Sequence, residues 1–264
     1  MIGSDHRMAS DTFSSPERQQ QIIRLLSRQK RLTVAEICER FSVSEATARR
    51  DLESLAEQGR LQRVHGGAIT TEQAPPELPI LEREREHAGE KERIGRAAAA
   101  LVQDGETIFL GSGTTVLEAA RALHGRKLTV ITNSLAVVNA LAGADATAII
   151  CLGGILRTSE LSFIGHLTEQ ALSELRADKV LIGTRAISLE HGLTHDYLPE
   201  TVTDRAVLKM GSEIIVLADH SKFGRAATVL LAPLDRIQIL VTDDQTPPGF
   251  VGAVTARGIT VIQA

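Results

Sequence analysis

Between Leu32 and Leu52 the chain reads as two short capped helices joined by a tight turn, a pattern few folds accommodate. Thr33-Val34-Ala35-Glu36 forms a capping box that opens one helix, with Ile37 and Phe41 facing inward. Ser44 caps the next helix, expected over Glu45–Gln58, and Gly59 is placed to end it. Within it Ala48, Leu52 and Leu55 fall at i, i+4 and i+7, which defines a buried face and leaves Thr47, Arg50 and Asp51 pointing away from it. Upstream, Ser15 followed by Pro16 is a helix start, and Ile22, Ile23, Leu25 and Leu26 supply its apolar stripe. Downstream, the stretch from Gly59 to Ile69 alternates like a strand, turns at Gly66-Gly67 and returns, as the wing of a winged helix does.

Three capped helices also occur in helical bundles and protein-docking domains, and Arg49-Arg50 by itself could be a solvated face. The basic wing tips the reading towards a helix that lays its N-terminal residues in the major groove of double-stranded DNA. Charge distribution agrees. Residues 15–70 carry ten Lys/Arg against seven Asp/Glu, a net +3, which leaves −7 for the rest of a chain whose total is −4. A basic head on an acidic body orients the head towards phosphates. The candidate DNA contacts are Thr33, Ser44, Glu45, Ala46, Thr47, Arg49, Arg50, Arg63 and His65.

Length and composition fit one small and one large domain. The expected division is a polar, disordered tail over 1–14, the winged helix over 15–70, a linker over 71–89 and a second domain over 90–264. The tail lacks the apolar segment of a secretory signal, and no apolar run reaches membrane-spanning length. Cys38 and Cys151 fall in different domains and in apolar surroundings, so a disulfide is not expected and a reducing cytoplasm fits. In the linker, Pro75, Pro76 and Pro79 stiffen the connection, and Glu82-Arg83-Glu84-Arg85-Glu86 reads as a solvated segment.

From Lys91 onward, short apolar strands alternate with helices, which predicts a mostly parallel sheet covered on both faces. Strands are expected at 107–110, 128–131, 147–152, 179–182, 213–218, 236–242 and 260–262. Helices are expected at 91–102, 115–123, 135–141, 167–175 and 200–210. Polar loops follow several strands: Gly111-Ser112-Gly113-Thr114-Thr115, Asn133-Ser134, Gly153-Gly154, and Asp219 to Gly224 with its cation Lys222. Such loops at one sheet edge make a crevice suited to a small phosphorylated ligand, with glycines admitting it and helix N–H groups receiving its anion. Asp196 and Glu200 are placed to hold sugar hydroxyls. The glycine loop lacks the Lys of a P-loop and the spacing of a dinucleotide fingerprint, so no nucleotide cofactor is expected. His191 and His195 are four apart, but Gly192 between them argues against a helical metal pair, and no metal is expected.

The residues 44–52, Gly59-Arg60-Leu61 and 63–68 resemble the signature of the DeoR-type (GlpR-type) bacterial transcriptional regulators. Ala48 departs from the Ile usual at that position. Residues 91–102, 111–115, 132–134, Gly153-Gly154, 192–194 and 217–224 are similar to the sensor domain of the same family, so the resemblance spans roughly residues 16–245. It implies an α/β protein: an N-terminal winged helix-turn-helix and a C-terminal mostly parallel α/β sensor domain resembling ribose-5-phosphate isomerase. It also implies binding of a phosphorylated sugar or related metabolite. After Glu200 the family usually shows Lys-Arg where this chain has Asp204-Arg205, and residues 183–188 differ from the usual glycine-rich version, so the effector can differ in charge or orientation.

The expectation is therefore a repressor of a carbohydrate-catabolic operon, working as a dimer or tetramer on operator DNA and released by a phosphorylated metabolite. An activator would use the same parts. A sugar-phosphate isomerase would need a tuned general base, and neither Asp219 nor Asp196 has an evident partner in the sequence that would tune it. No enzymatic activity is expected.

Overall fold

The computed structural model describes residues 13–29, 31–57, 60–64, 66–69 and 78–264, and divides the chain into two compact units, 1–76 and 77–264. Gly59, His65 and residues 1–12 lie outside the described residues.

In the first unit, α1 (Ser15–Gln29), β1 (Arg31–Thr33), α2 (Val34–Phe41), α3 (Glu45–Glu57), β2 (Gln62–Val64) and β3 (Gly67–Ile69) follow in order. The three strands form an antiparallel sheet in the order β1-β3-β2, with Arg31 and Gln62 both opposite Ile69. Ile22, Leu26, Ile37, Ala48, Leu52 and Leu55 are fully or almost fully buried in one core. The stripes predicted on the three helices therefore meet.

The first helix starts one residue earlier than the sequence suggested. Ser14, not Ser15, precedes the helix, and the Glu17 carboxylate reaches back to it, accepting its N–H and hydroxyl at 3.0 and 2.7 Å. Phe13 packs edge-on against Phe41, with ring centroids 5.6 Å apart. Ser15 instead donates to Asp51 at 3.0 Å. Asp51, expected to point outward, is 3% exposed because Arg18 receives it in the core.

The second unit runs α4 (Ile80–Arg83), α5 (Ala88–Ala99), β4 (Thr107–Leu110), α6 (Thr114–Leu123), β5 (Thr129–Thr132), α7 (Leu135–Leu141), β6 (Ala148–Cys151), β7 (Ile155–Arg157), β8 (Ser162–Ile164), α8 (His166–Glu174) and β9 (Ala177–Ile182). It continues β10 (Ala186–Ser188), β11 (Gly192–His195), α9 (Leu198–Met210), β12 (Gly211–Leu217), β13 (Val229–Ala232), β14 (Ile239–Thr242), α10 (Pro248–Thr255) and β15 (Thr260–Gln263). Seven strands form one all-parallel sheet in the order β15-β14-β12-β9-β4-β5-β6. These are the seven strands expected from the sequence.

Alternation along the strands sorts side chains into two cores. Phe109, Ile182, Val216 and Leu240 pack with Leu172 of α8, Val207 and Leu208 of α9, and Phe250 and Val254 of α10. Ile108, Leu110, Leu181, Ile215, Leu217 and Val241 pack on the other face with α5, α6 and α7 through Ile94, Ala98, Val116, Ala119, Val137 and Leu141. The chain builds outward from β4 to β6 on one side and from β9 to β15 on the other. Strand order therefore reverses between β4 and β9, where a crevice opens at the carboxyl ends of such sheets.

Two small antiparallel pieces were not anticipated: the β7–β8 hairpin, and a sheet ordered β10-β11-β13. Cys151, expected in apolar surroundings, is exposed on the edge strand β6, while Cys38 is half-buried; both are free thiols.

Candidate functional sites

The first unit presents its second and third helices around a sharp turn. Thr33 caps α2 reciprocally with Glu36: its N–H donates to Glu36 Oε2 at 2.7 Å, and its hydroxyl accepts the Glu36 N–H at 3.2 Å. Ser42 takes the left-handed conformation (φ 52) that ends α2. Ser44 then accepts the Thr47 N–H at 3.3 Å and lies 3.0 Å from the Thr47 hydroxyl. The hydroxyls of Thr33 and Ser44 thus hold helix starts. Glu45, Ala46, Arg49 and Arg50 are exposed on α3, with Arg49 paired to Glu45 at 3.0 Å, and Arg63 is exposed on β2.

In the second unit an open cleft of about 830 Å³ lies at the β4–β9–β12 strand ends. Its floor is the loop from β4 to α6. Gly113 has φ 109, a value glycine alone takes without strain, and no side chain caps α6. The first amide groups of α6 thus have no intrahelical acceptor and carry the positive end of the helix dipole. Of the predicted ligand residues, Gly111, Ser112, Gly113, Thr114, Thr115, Glu200 and Lys222 line this cleft.

The others do not. Asn133 and Ser134 are each 1% exposed; the Asn133 amide donates to the Phe163 carbonyl at 3.0 Å, and Ser134 caps α7 through the Val137 N–H. Gly153 accepts the Thr168 hydroxyl at 2.8 Å. At Gly154 (φ 152) a Cβ would strike Thr168 Oγ1 and come within 2.7 Å of the Ile164 carbonyl oxygen. Asp196 is paired with Arg185 at 2.8 Å, and it is Arg185 that lines the cleft.

Several lining residues escaped the sequence reading: Arg83, His87, Lys91, Glu160, Thr184, Arg185, His195 and Asp204. Of the segment expected to be solvated, Glu82, Arg85 and Glu86 are exposed, but Arg83 is buried in the cleft wall. Arg83 is 8% exposed and bonded to Glu160, and Lys91, 5% exposed, donates to the Arg83 carbonyl at 2.6 Å. A regular charge alternation suggested uniform solvation; a single buried arginine among its neighbours leaves no trace in such a pattern.

Asp219 is also tuned, contrary to expectation. It is 1% exposed, so burial alone would push its carboxyl up. Lys222, the Ser221 N–H, His87 and Lys91 outweigh that and hold it at about 2. Its Oδ1 accepts the Ser221 N–H at 2.9 Å, while Oδ2 has no hydrogen-bond partner among the described residues. Lys91 is pushed down to about 8, chiefly by burial and then by Lys222 and Arg83, with Asp219 opposing. His220, behind this group, donates from ring Nδ1 to Asp243 Oδ1 at 3.0 Å, which raises its pKa, and its ring meets His87 edge-on at 4.8 Å.

A second polar group lines the far part of the cleft. Glu200 is 6% exposed, bonded to Arg157 and accepting the Ser162 hydroxyl at 2.6 Å. Burial and the neighbouring Asp204 nevertheless raise its pKa. His195 Nδ1 lies 3.3 Å from Asp204, whereas His191 is exposed beside Glu190, so the two histidines have different partners. Among the described residues no three His, Cys, Asp or Glu side chains converge as a metal site, and no helix is long and apolar enough to cross a membrane.

The DeoR-like helix-turn-helix domain matches residues 18–74, and the DeoR C terminal sensor domain matches residues 86–244. The transcriptional repressor AccR of Agrobacterium fabrum is 35% identical over 88% of this chain and 91% of its own length. The glycerol-3-phosphate regulon repressor of Escherichia coli is 34% identical over 92% of this chain and 96% of its own. Among solved structures, ribose 5 phosphate isomerase A from Neisseria gonorrhoeae aligns over 50% of this chain and 52% of that one, at 18% identity and a TM-score of 0.37, a likeness too distant to carry function. Both matched domains lie in one chain, in the same order and over nearly the same length as in these repressors: the protein belongs to the DeoR family of transcriptional regulators, and it is a regulator rather than an enzyme.

Proposed function

We propose that the protein is a cytoplasmic repressor of a carbohydrate-catabolic operon, relieved when a phosphorylated sugar or related metabolite occupies the cleft of the second unit. The observation that carries this reading is the convergence of the uncapped α6 start, the Gly111–Thr115 loop, Lys91 and Lys222 on one crevice. Amide dipoles and two ammonium groups suit a phosphate, while the carboxylates of Glu200 and Asp204 accept hydrogen bonds from hydroxyls further along. The E. coli relative's printed name, a glycerol-3-phosphate regulon repressor, supports a phosphorylated effector. Asp196 holds Arg185 in place.

On the DNA side, α3 enters the major groove. Arg50, Arg63 and Ala46 meet the duplex, Thr33, Ser44 and Thr47 hold the helix starts, and Glu45 orients Arg49. One such module buries too little surface for tight specificity, so the working form is a homo-oligomer on repeated half-sites. The test is operator binding by purified protein across a panel of sugar phosphates, beside a Thr114→Ala/Lys222→Ala variant. The expected result is release of native protein by at least one compound and DNA binding without release by the variant. A variant released as readily as native protein would move the anion site elsewhere.

A further inference from the structure

One wall of the cleft is formed by the first described residues of the second unit. Within residues 78–91, Arg83, Glu86, His87 and Lys91 face the cleft. This stretch is fastened at discrete points. The Ile80 N–H donates to the Ser159 carbonyl at 2.8 Å, and the Ile80 side chain is buried. Arg83 Nε donates to the Leu78 carbonyl at 2.8 Å, and its guanidinium bonds to Glu160 with both side chains almost wholly buried. Between α4 and α5, His87 is held at φ 52, a conformation that non-glycine residues keep only where surroundings enforce it.

Lys91 joins this wall to the anion-receptive loop. Its ammonium donates to the Arg83 carbonyl at 2.6 Å, a neutral acceptor, although it is buried beside Lys222 and Asp219. An anionic oxygen makes the stronger, charge-assisted partner. The Arg83 carbonyl also accepts the Glu86 N–H at 3.1 Å, so it is not stranded when the ammonium leaves.

We infer that residues 78–91 are the element through which cleft occupancy is read: an anion in the cleft draws Lys91 away from the Arg83 carbonyl and shifts the ties that fasten this wall. This rests on the anionic-effector reading above. It goes beyond it, because an anion could be held by Lys222 and the α6 start with the wall unmoved.

Hydrogen exchange on the full chain tests it, with glucose 6-phosphate and inorganic phosphate as probes and occupancy followed independently by phosphorus NMR. With a probe bound, exchange of amides in residues 80–91 is expected to change by about tenfold or more while α10 stays constant, as a shifted local opening equilibrium requires. Demonstrated occupancy with unchanged exchange across 80–91 overturns the inference and leaves the anion site standing. If no phosphorylated probe binds, the anion reading fails and this inference falls with it. Glu160→Gln offers a second measurement: at full occupancy, the ratio of operator affinities with and without probe is expected to shrink towards 1 by about tenfold. A ratio equal to that of the native chain overturns the role of the Arg83–Glu160 tie.

Discussion

Arg18 Nε lies 2.6 Å from Asp51 Oδ2, joining the first helix of the DNA-reading unit to the helix that carries its exposed arginines. The same carboxylate accepts the Ser15 hydroxyl at 3.0 Å and the Gln19 amide at 3.2 Å. Burial pushes the Asp51 carboxyl up, but these donors and the Arg18 charge outweigh it and hold its pKa below the ordinary value. The pair therefore fixes how α3 is set against α1.

Asp51→Ala leaves the Arg18 guanidinium buried without its carboxylate, which costs about 3–5 kcal/mol. Amide exchange in α1 and α3, read against denaturant, is expected to show that loss while the second unit keeps its protection. Equal stability would mean that solvent reaches Arg18 freely. Because the folded pKa of Asp51 is depressed, its contribution is complete above the unfolded value of 3.8 and disappears as pH falls through the lower folded value.

Arg50 is exposed on α3. Replacing it with alanine is expected to weaken operator binding by about 1–3 kcal/mol with metabolite binding intact. Quantitative gel-shift titration at fixed salt checks this, and an unchanged operator affinity would remove Arg50 from the contact set.

Lys91 titrates at about 8 in the folded chain, against an ordinary 10.5. Between these values the unfolded chain binds more protons, so stability is expected to rise with pH across that window. Anion binding should move the opposite way, because it needs the ammonium charged: phosphate affinity weakens as pH climbs through about 8, with proton uptake on binding. Calorimetry in buffers of different ionisation enthalpy reads both effects. A pH-independent affinity from 7 to about 9.5 would take Lys91 out of the anion site.

Gly154 sits against Thr168 and the Ile164 carbonyl at a backbone angle that disfavours any side chain. Gly154→Ala is expected to destabilise the second unit by about 1–3 kcal/mol, with anion affinity retained in the folded fraction. Thermal unfolding paired with phosphate titration checks it. Native stability with lost binding would reverse the assignment and return Gly154 to the ligand.

The helical stripes, the capping box at Thr33 and the seven parallel strands were legible because local chemistry and periodicity dictate them. A capping box needs a hydroxyl and a carboxylate three residues apart, and a strand covered on both faces must be a short apolar run. The Gly111–Thr115 loop was legible for a similar reason: a strand-to-helix turn without a side-chain cap announces free amides. Asn133 and Gly154 carried the same local signature and proved structural, since only their neighbours Phe163 and Thr168 distinguish a loop facing the cleft from one facing the interior.

By itself the sequence determined the helices of the first unit, the seven parallel strands in their order and the family to which they belong, because those follow from contacts a few residues apart. The placement of charge belonged to the tertiary structure alone. Asp51 meets Arg18, Arg83 meets Glu160, and Lys91 gathers with Asp219 and Lys222 across gaps of tens of residues. Whether an ionisable side chain is solvated, paired or poised for a ligand depends on which distant groups share its low-dielectric surroundings, and no local pattern records that.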